Sequence, residues 1–320
     1  MSYYASAEGA ARLAAAPADR APLLTGMGAS YHAALAIAPY FHSLGIPALA
    51  AEATDLLYYG QALLQERRPL IFISQSGASA EVAAIVEALP AGTALLAVTN
   101  DPESLLARSA QVLLPTHAGK ESGVATKTYL NCLAVLWLLA RRWAGAPGFQ
   151  ALEQVAAECQ RLVADADTIA ARWLQALGTV EQLVFAGHGP HVASARQSAM
   201  MLAERARVAA IGMGAGAFRH GPIEIAQPGL GAVIFAPPGR SSASATTLAA
   251  DLSGYGARVL IVEHGHTRGL DEAAGASPEI DEFLAPMLDV IPAQIFAEAL
   301  ARKLGVGPGF RYIGKVVTRL

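Results

Sequence analysis

Two cysteines in 320 residues, Cys132 and Cys159, with no Cys-x-x-Cys pair between them, leave nothing from which to build a disulfide framework or a thiolate metal cluster. Both sit in stretches of helical periodicity and are read as reduced structural thiols, the state expected in a cytoplasm. Charge is sparse as well: only 15% of the residues are Asp, Glu, Lys or Arg, and the formal net charge is −3. A chain without a basic field cannot displace the counterions of a phosphate backbone, which argues against nucleic-acid binding. Long apolar runs are missing too. The longest, 133–140, falls far short of the ~20 residues a membrane-spanning helix needs and reads as a buried helix. At the N-terminus, Glu8 and Arg12 interrupt an alanine-rich stretch, so no secretory signal is expected. The eight histidines form no ligand pattern. His264-Gly265-His266 comes nearest, and a turn after a strand accounts for it at least as well, so neither metal nor cofactor is expected.

What is present is apolar and ordered: 53% hydrophobic residues, rich in alanine, in a length that suits two domains. An internal repeat supports that division. Leu23-Leu24-Thr25-Gly26-Met27-Gly28 is answered by Leu183-Val184-Phe185-Ala186-Gly187-His188-Gly189, an apolar strand running into a Gly-x-Gly turn and then a helix. Ile71-Phe72 is answered by Ile234-Phe235, and 95–98 by 259–262. Strands alternating with helices at this spacing predict an α/β protein of two tandem, doubly wound, flavodoxin-like parallel sheets. The expected divisions are an N-terminal helical segment over 1–19, a first domain over 20–150, and a second over 151–320 that includes the C-terminal tail. Between them, 124–177 reads as mostly helical with a break at Gly145-Ala146-Pro147-Gly148.

In an open parallel sheet, ligands bind at the carboxyl ends of the strands. Two turns of the first half are therefore of interest. In Gly26-Met27-Gly28-Ala29-Ser30-Tyr31-His32, glycines would let the backbone approach a ligand while Ser30 offers a hydroxyl. The third glycine of a dinucleotide fingerprint is absent. In Ile73-Ser74-Gln75-Ser76-Gly77-Ala78-Ser79, three hydroxyls, an amide and a helix start could surround a phosphate with neutral donors. Helix capping by Ser76 or Ser79 would account for the same serines.

These two turns, together with Glu121-Ser122-Gly123-Val124-Ala125, Arg219-His220-Gly221-Pro222 and Gly314-Lys315-Val316-Val317-Thr318, resemble the double-SIS phosphosugar isomerase family. The resemblance runs from about residue 20 to the end and is to the family's glucosamine-6-phosphate synthase isomerase portions and stand-alone aminosugar-phosphate deaminase/isomerases. It implies that Ser30, Ser74, Gln75, Ser76 and Ser79 hold the sugar phosphate, with Gly28 and the Val124 backbone beside the substrate. It further implies that Glu204 moves a proton between carbons 1 and 2, that His220 assists ring opening, and that Lys315 forms a Schiff base with the keto sugar. In the synthase the equivalent histidine reaches across a dimer interface, so a cytoplasmic homodimer is expected. The second half has Ala236-Pro237-Pro238-Gly239 where 74–77 would repeat, which implies one sugar site per chain.

Two departures fall on the helix of Glu204. Gln197 and Met201 replace a glutamate and a lysine of the synthase, at a spacing that puts all three residues on one helical face of the substrate pocket. No glutaminase portion is recognised in the chain, so glutamine-dependent synthesis is not expected from it. The expected activity is conversion of a glucosamine 6-phosphate-like substrate to fructose 6-phosphate plus ammonia. The alternatives are a fructosamine-6-phosphate deglycase, a simple isomerase, or a non-catalytic phosphosugar-sensing module. Against the last, only about 20 residues precede the first strand, too few for the helix-turn-helix domain that such regulators commonly carry.

Overall fold

A computed structural model describes residues 2–17, 21–146, 148–273, 279–312, 314 and 316–318. Its strands are β1 Leu23–Gly26, β2 Leu49–Glu52, β3 Leu70–Ile73, β4 Leu95–Thr99, β5 Val112–Pro115, β6 Gln182–Gly187, β7 Ile211–Gly214, β8 Leu230–Phe235, β9 Arg258–Glu263 and β10 His266–Arg268. The first five form one parallel sheet in the order β2-β1-β3-β4-β5, and the last five a second in the order β10-β9-β8-β6-β7. Read from its other edge, the second sheet repeats the order of the first. Only β10, antiparallel to β9, departs from it. His264 (φ 50°) and Gly265 (φ 79°) are the two central residues of the β9–β10 hairpin, the positive-φ pair such a tight connection demands.

The central strands are continuous apolar runs because helices cover both of their faces. β1, β3 and β4 are buried along their whole length. Below the first sheet, Leu23, Phe72 and Ala97 pack with Leu56, Val82 and Ile85. The helices Ala29–Ser43 and Lys127–Trp143 lie together in the same half, with Tyr40 stacked on Trp137 at 6.0 Å between ring centres. The second sheet has its own core, in which Val184, Ile234 and Ile261 meet Phe218, Leu248 and Leu252.

The N-terminal helices Ser2–Ala5 and Ala7–Ala15 are separated by Ser6, whose hydroxyl accepts from Gly9 N at 3.3 Å. They dock beside the edge strand β5: the Tyr4 hydroxyl donates to Pro115 O at 2.9 Å and Arg12 to Leu113 O at 3.3 Å. Covering an edge in this way removes a template for unwanted pairing.

The chain divides into two compact units, Met1–Leu152 with Phe310–Leu320, and Glu153–Gly309. Contiguity alone would give the C-terminal tail to the second half. Instead the tail returns to the first, where Val317 O accepts from Ala80 N at 3.0 Å.

Candidate functional site

In the first unit β2 lies on one side of β1 and β3 on the other, so connections diverge between β1 and β3, the crevice where open α/β sheets bind ligands. Both turns singled out in the sequence open there. Gly28, at φ 52°, turns the chain from β1 into the helix Ala29–Ser43. Gly26 has no room for a side chain, because a Cβ would stand 2.7 Å from both Ile73 O and Ser30 Cβ. Absence of a side chain at Gly26 thus brings Ser30 against the end of β3, next to Ser74.

The 74–79 loop is fixed from beneath. Ser74 N donates to Val98 O at 3.0 Å, extending the ladder by one residue past β3. Gln75 O accepts from Asn100 N at 3.2 Å and from the Thr99 hydroxyl at 3.3 Å, and Gly77 O accepts from Leu106 N at 3.0 Å. These carbonyls are consumed by protein donors, which keeps acceptor oxygens out of a cradle meant for an anion. The loop is also internally tied: Gly77 N donates to Ser74 Oγ at 3.1 Å and Ala78 N to Ser76 Oγ at 3.3 Å. Ser79 stands at the N-cap of the helix Ala80–Ala88 without making a side-chain cap bond. Its capping role is thus not seen, whereas Ser74 and Ser76 do serve the turn.

Gly77 has φ 58° and packs so closely that a Cβ would lie 2.6 Å from Ser104 Cβ and 3.1 Å from the Thr99 hydroxyl. Gly77→Ala therefore combines backbone strain of roughly 1–3 kcal/mol with a clash. A lowered melting temperature together with weaker hexose 6-phosphate binding by calorimetry is the expected result; a variant with unchanged affinity would show that the loop geometry does not matter to the ligand.

Glu121, recognised as part of a motif, proves to be a clip. Its carboxylate accepts from Thr126 N and the Thr126 hydroxyl, both at 3.0 Å, from Thr128 N at 3.3 Å, and from the Thr128 hydroxyl. Burial pushes its pKa up, but these hydrogen bonds to the charged form outweigh burial and hold it below the ordinary glutamate range. The clip closes the loop containing Val124 at the start of the helix Lys127–Trp143. Asn100 was not singled out by sequence. Its Oδ1 accepts from Ala118 N at 2.8 Å and from the Thr116 hydroxyl at 3.1 Å, while its Nδ2 donates to Gly119 O at 2.8 Å. It thereby joins the carboxyl end of β4 to the loop after β5. An Asn closing a strand is the sequence signal that could have marked it.

The second unit repeats the first turn but not the second. Gly189, at φ 53°, matches Gly28. Past β8, however, Pro237 and Pro238 have no N–H to give. Glu282 also lies against this turn, accepting from Arg240 N at 3.0 Å and pairing with the Arg240 side chain at 2.6 Å. A carboxylate and two prolines make no anion cradle.

The helix His191–Met201 runs into a five-residue π-turn, Leu202–Ala206, that ends at Arg207 in the left-handed region (φ 58°). Such turns concentrate at functional sites. Glu204 rides on this turn, half-buried, and burial raises its carboxyl above the ordinary glutamate range. Gln197 and Met201 are buried, at 0% and 1% exposure. His220 is exposed just past the helix Ala215–Arg219, its N–H bonded to Ala217 O at 3.2 Å. The first unit thus gathers Gly28, Ser30, Ser74, Gln75, Ser76 and Ser79, while the second holds Gln197, Met201 and Glu204 along one helical segment and His220 on another element. Lys315 lies outside the described residues.

Residues 19–142 match the SIS domain family. Over 287 residues, 88% of its length, the chain is 31% identical to the glutamine–fructose-6-phosphate aminotransferase (isomerizing) of Methanothermobacter thermautotrophicus, covering 48% of that protein. The chain spans about half the length of the curated relatives it matches. In structure it is similar to glucosamine-6-phosphate deaminase from Thermotoga maritima, with a TM-score of 0.81 and 23% identity over 93% of this chain and 90% of that one. It is also similar to the C-terminal domain of glucosamine-fructose-6-phosphate aminotransferase from Francisella tularensis, with a TM-score of 0.80 and 19% identity over 96% and 90%. At those identities the structural likenesses establish the fold. No helix among the described residues is long and apolar enough to cross a membrane.

Proposed function

We propose that this chain, whose residues 19–142 form a SIS domain, is an aminosugar-phosphate deaminase/isomerase that converts glucosamine 6-phosphate, or a close relative, and water to fructose 6-phosphate and ammonia. The observation that carries this reading is the 74–79 loop: at the crevice between β1 and β3 it presents serines at 74, 76 and 79 while its carbonyls at 75 and 77 are turned onto protein donors. A neutral turn carrying serine hydroxyls and a glutamine amide suits a phosphate monoester. The names borne by the similar proteins point to hexose and aminohexose 6-phosphates.

Gly28, Ser30, Ser74, Gln75, Ser76, Ser79 and the Val124 backbone would hold the sugar. Ring opening falls to His220, whose exposure leaves it available to a neighbouring subunit in a homodimer. Glu204 then takes the proton from carbon 2 and returns it to carbon 1, converting the aldose amine to a ketose imine that water hydrolyses with loss of ammonia. A carboxylate whose basicity is raised by burial is better matched to that transfer than an ordinary glutamate. Lys315 is proposed as the Schiff-base amine on sequence resemblance.

Incubation with glucosamine 6-phosphate should yield equimolar ammonia and fructose 6-phosphate. Ser74→Ala combined with Ser76→Ala should raise KM by about 10- to 100-fold through lost hydrogen bonds to a charged group. Absence of turnover across amino and neutral hexose 6-phosphates would overturn the reading.

Positions 197 and 201, uncharged here, favour a second activity in which a larger amine leaves, as in a fructosamine-6-phosphate deglycase. Faster turnover of fructosyl-lysine 6-phosphate than of glucosamine 6-phosphate would establish it.

A further inference from the structure

Glu204 is followed directly by a cation, and that cation is bound elsewhere. The Arg205 side chain is 14% exposed and turns onto the helix Ala285–Lys303, where its Nε donates to Glu298 Oε2 at 2.6 Å. Its Nη1 reaches two backbone carbonyls just past that helix, Val306 O at 3.2 Å and Gly307 O at 3.3 Å. At the end of the turn Arg207 N and Val208 N both donate to Leu202 O, the latter at 3.1 Å. A π-turn followed by a left-handed arginine is not a conformation that local propensity selects, so something outside the turn must maintain it.

We infer that Arg205 is a positioning residue: by pairing with Glu298 and with the carbonyls of Val306 and Gly307, it fixes the five-residue turn on which Glu204 rides. Three bonds from one planar guanidinium to a helix and to the segment beyond it define both the place and the rotation of the turn. They also direct the positive charge onto Glu298 and away from Glu204, whose upward shift arises from burial with no contribution from Arg205. Arg302, which donates to the other oxygen of Glu298 at 2.7 Å and is 76% exposed, supplies an internal control, since it shares the carboxylate and makes none of the carbonyl contacts.

The inference rests on the proposed role of Glu204 for its catalytic readout and on the turn alone for its structural one. Three variants, Arg205→Met, Arg205→Lys and Arg302→Ala, are compared with wild type by glucosamine 6-phosphate kinetics, by amide hydrogen exchange over 202–208, and by NMR titration of the Glu204 carboxyl. Arg205→Met should lower kcat by about 10- to 100-fold with KM changed by less than about threefold, as expected when a reacting group is misplaced and the binding site is intact. It should also speed exchange in the turn by about tenfold or more, and bring the Glu204 titration down toward the ordinary range. Arg205→Lys, keeping the ion pair but not the fork, should fall between, and Arg302→Ala should behave as wild type.

Should wild type prove inactive while exchange and titration respond as described, the proposed chemistry fails and the positioning role stands. If Arg205→Met leaves both exchange and titration as in wild type, or if Arg302→Ala matches its effects, the positioning role is overturned whatever the activity.

Discussion

Glu204→Gln is expected to lower kcat on glucosamine 6-phosphate by about 10²- to 10⁴-fold, the usual contribution of a positioned acid–base group, while leaving sugar-phosphate affinity nearly unchanged. The amide keeps the shape and can still form hydrogen bonds, but it cannot take the carbon-2 proton. Because the phosphate is proposed to bind to the serines of the first unit, affinity should survive the change; calorimetry and single-turnover kinetics separate the two effects. In wild type the rate should also fall as pH drops through the Glu204 pKa, and since burial raises that pKa the fall begins at higher pH than for a solvated glutamate. A variant retaining wild-type kcat would remove Glu204 from the mechanism.

The second large effect concerns stability. Asp289, in the helix Ala285–Lys303, is fully buried; its Oδ2 lies 3.5 Å from Nε2 of buried His191, and its Oδ1 accepts from Gly265 N at 2.5 Å. Burial, helped by the nearby Glu263 and opposed by the Gly265 bond, pushes Asp289 up to about 8, while burial and the nearby His264 push His191 down to about 3. Near neutral pH the folded pair therefore holds one proton. The raised carboxyl favours folding at low pH and loses that contribution as pH rises toward 8; the lowered imidazole loses its contribution as pH falls below about 6.5.

Together these shifts predict a plateau of stability between about pH 4 and about pH 6.5. Between about 6.5 and 8 the unfolded chain has given up its proton and the folded one has not, so stability declines by about 1 kcal/mol per pH unit. Asp289→Ala should cost about 1–3 kcal/mol by leaving the buried Gly265 N without its acceptor. Asp289→Asn should abolish the alkaline decline, as read from melting temperatures between pH 6 and 8.5. An Asn variant with the wild-type slope would show that this pair does not titrate as described.

The strands at the sheet centres were legible because they are apolar runs ending in turn-forming residues: glycine after β1, serine after β3, asparagine after β4 and proline after β8. β2 (Leu-Ala-Ala-Glu) and β7 (Ile-Gly-Met-Gly) were not, since alanine and glycine carry little strand preference and both strands are edges imposed by their neighbours. Gly212 in β7 is there for contact: a Cβ would come within 2.7 Å of Arg196 Cα in the helix packed over it. The serine loop could be read at sequence level, but the disposal of its carbonyls could not, because their donors come from elsewhere, Asn100 from the turn after β4 and Leu106 from the helix Leu105–Ser109. Helical spacing put Gln197, Met201 and Glu204 on one face. The π-turn advances the chain through a smaller angle per residue, which no residue type announces, and Glu204 is half-exposed where the other two are buried. Asp289 did leave a trace, a lone acid inside Met287-Leu288-Asp289-Val290-Ile291, but its partner lies 98 positions away.

The return of residues 310–318 to the first unit means that the polypeptide passes between units twice, once at 152–153 and again at 309–310. A protease nicking the segment between the helices Lys127–Trp143 and Gln150–Ala164 would therefore split the chain in two, with the second piece still carrying residues 310–318 of the first unit. Expressing residues 1–152 alone would yield a fragment whose Ala80 amide has lost its acceptor at the mouth of the serine loop. Severing the protein into its working parts takes two cuts, and the smaller piece released from the far end belongs with the opening stretch of the chain.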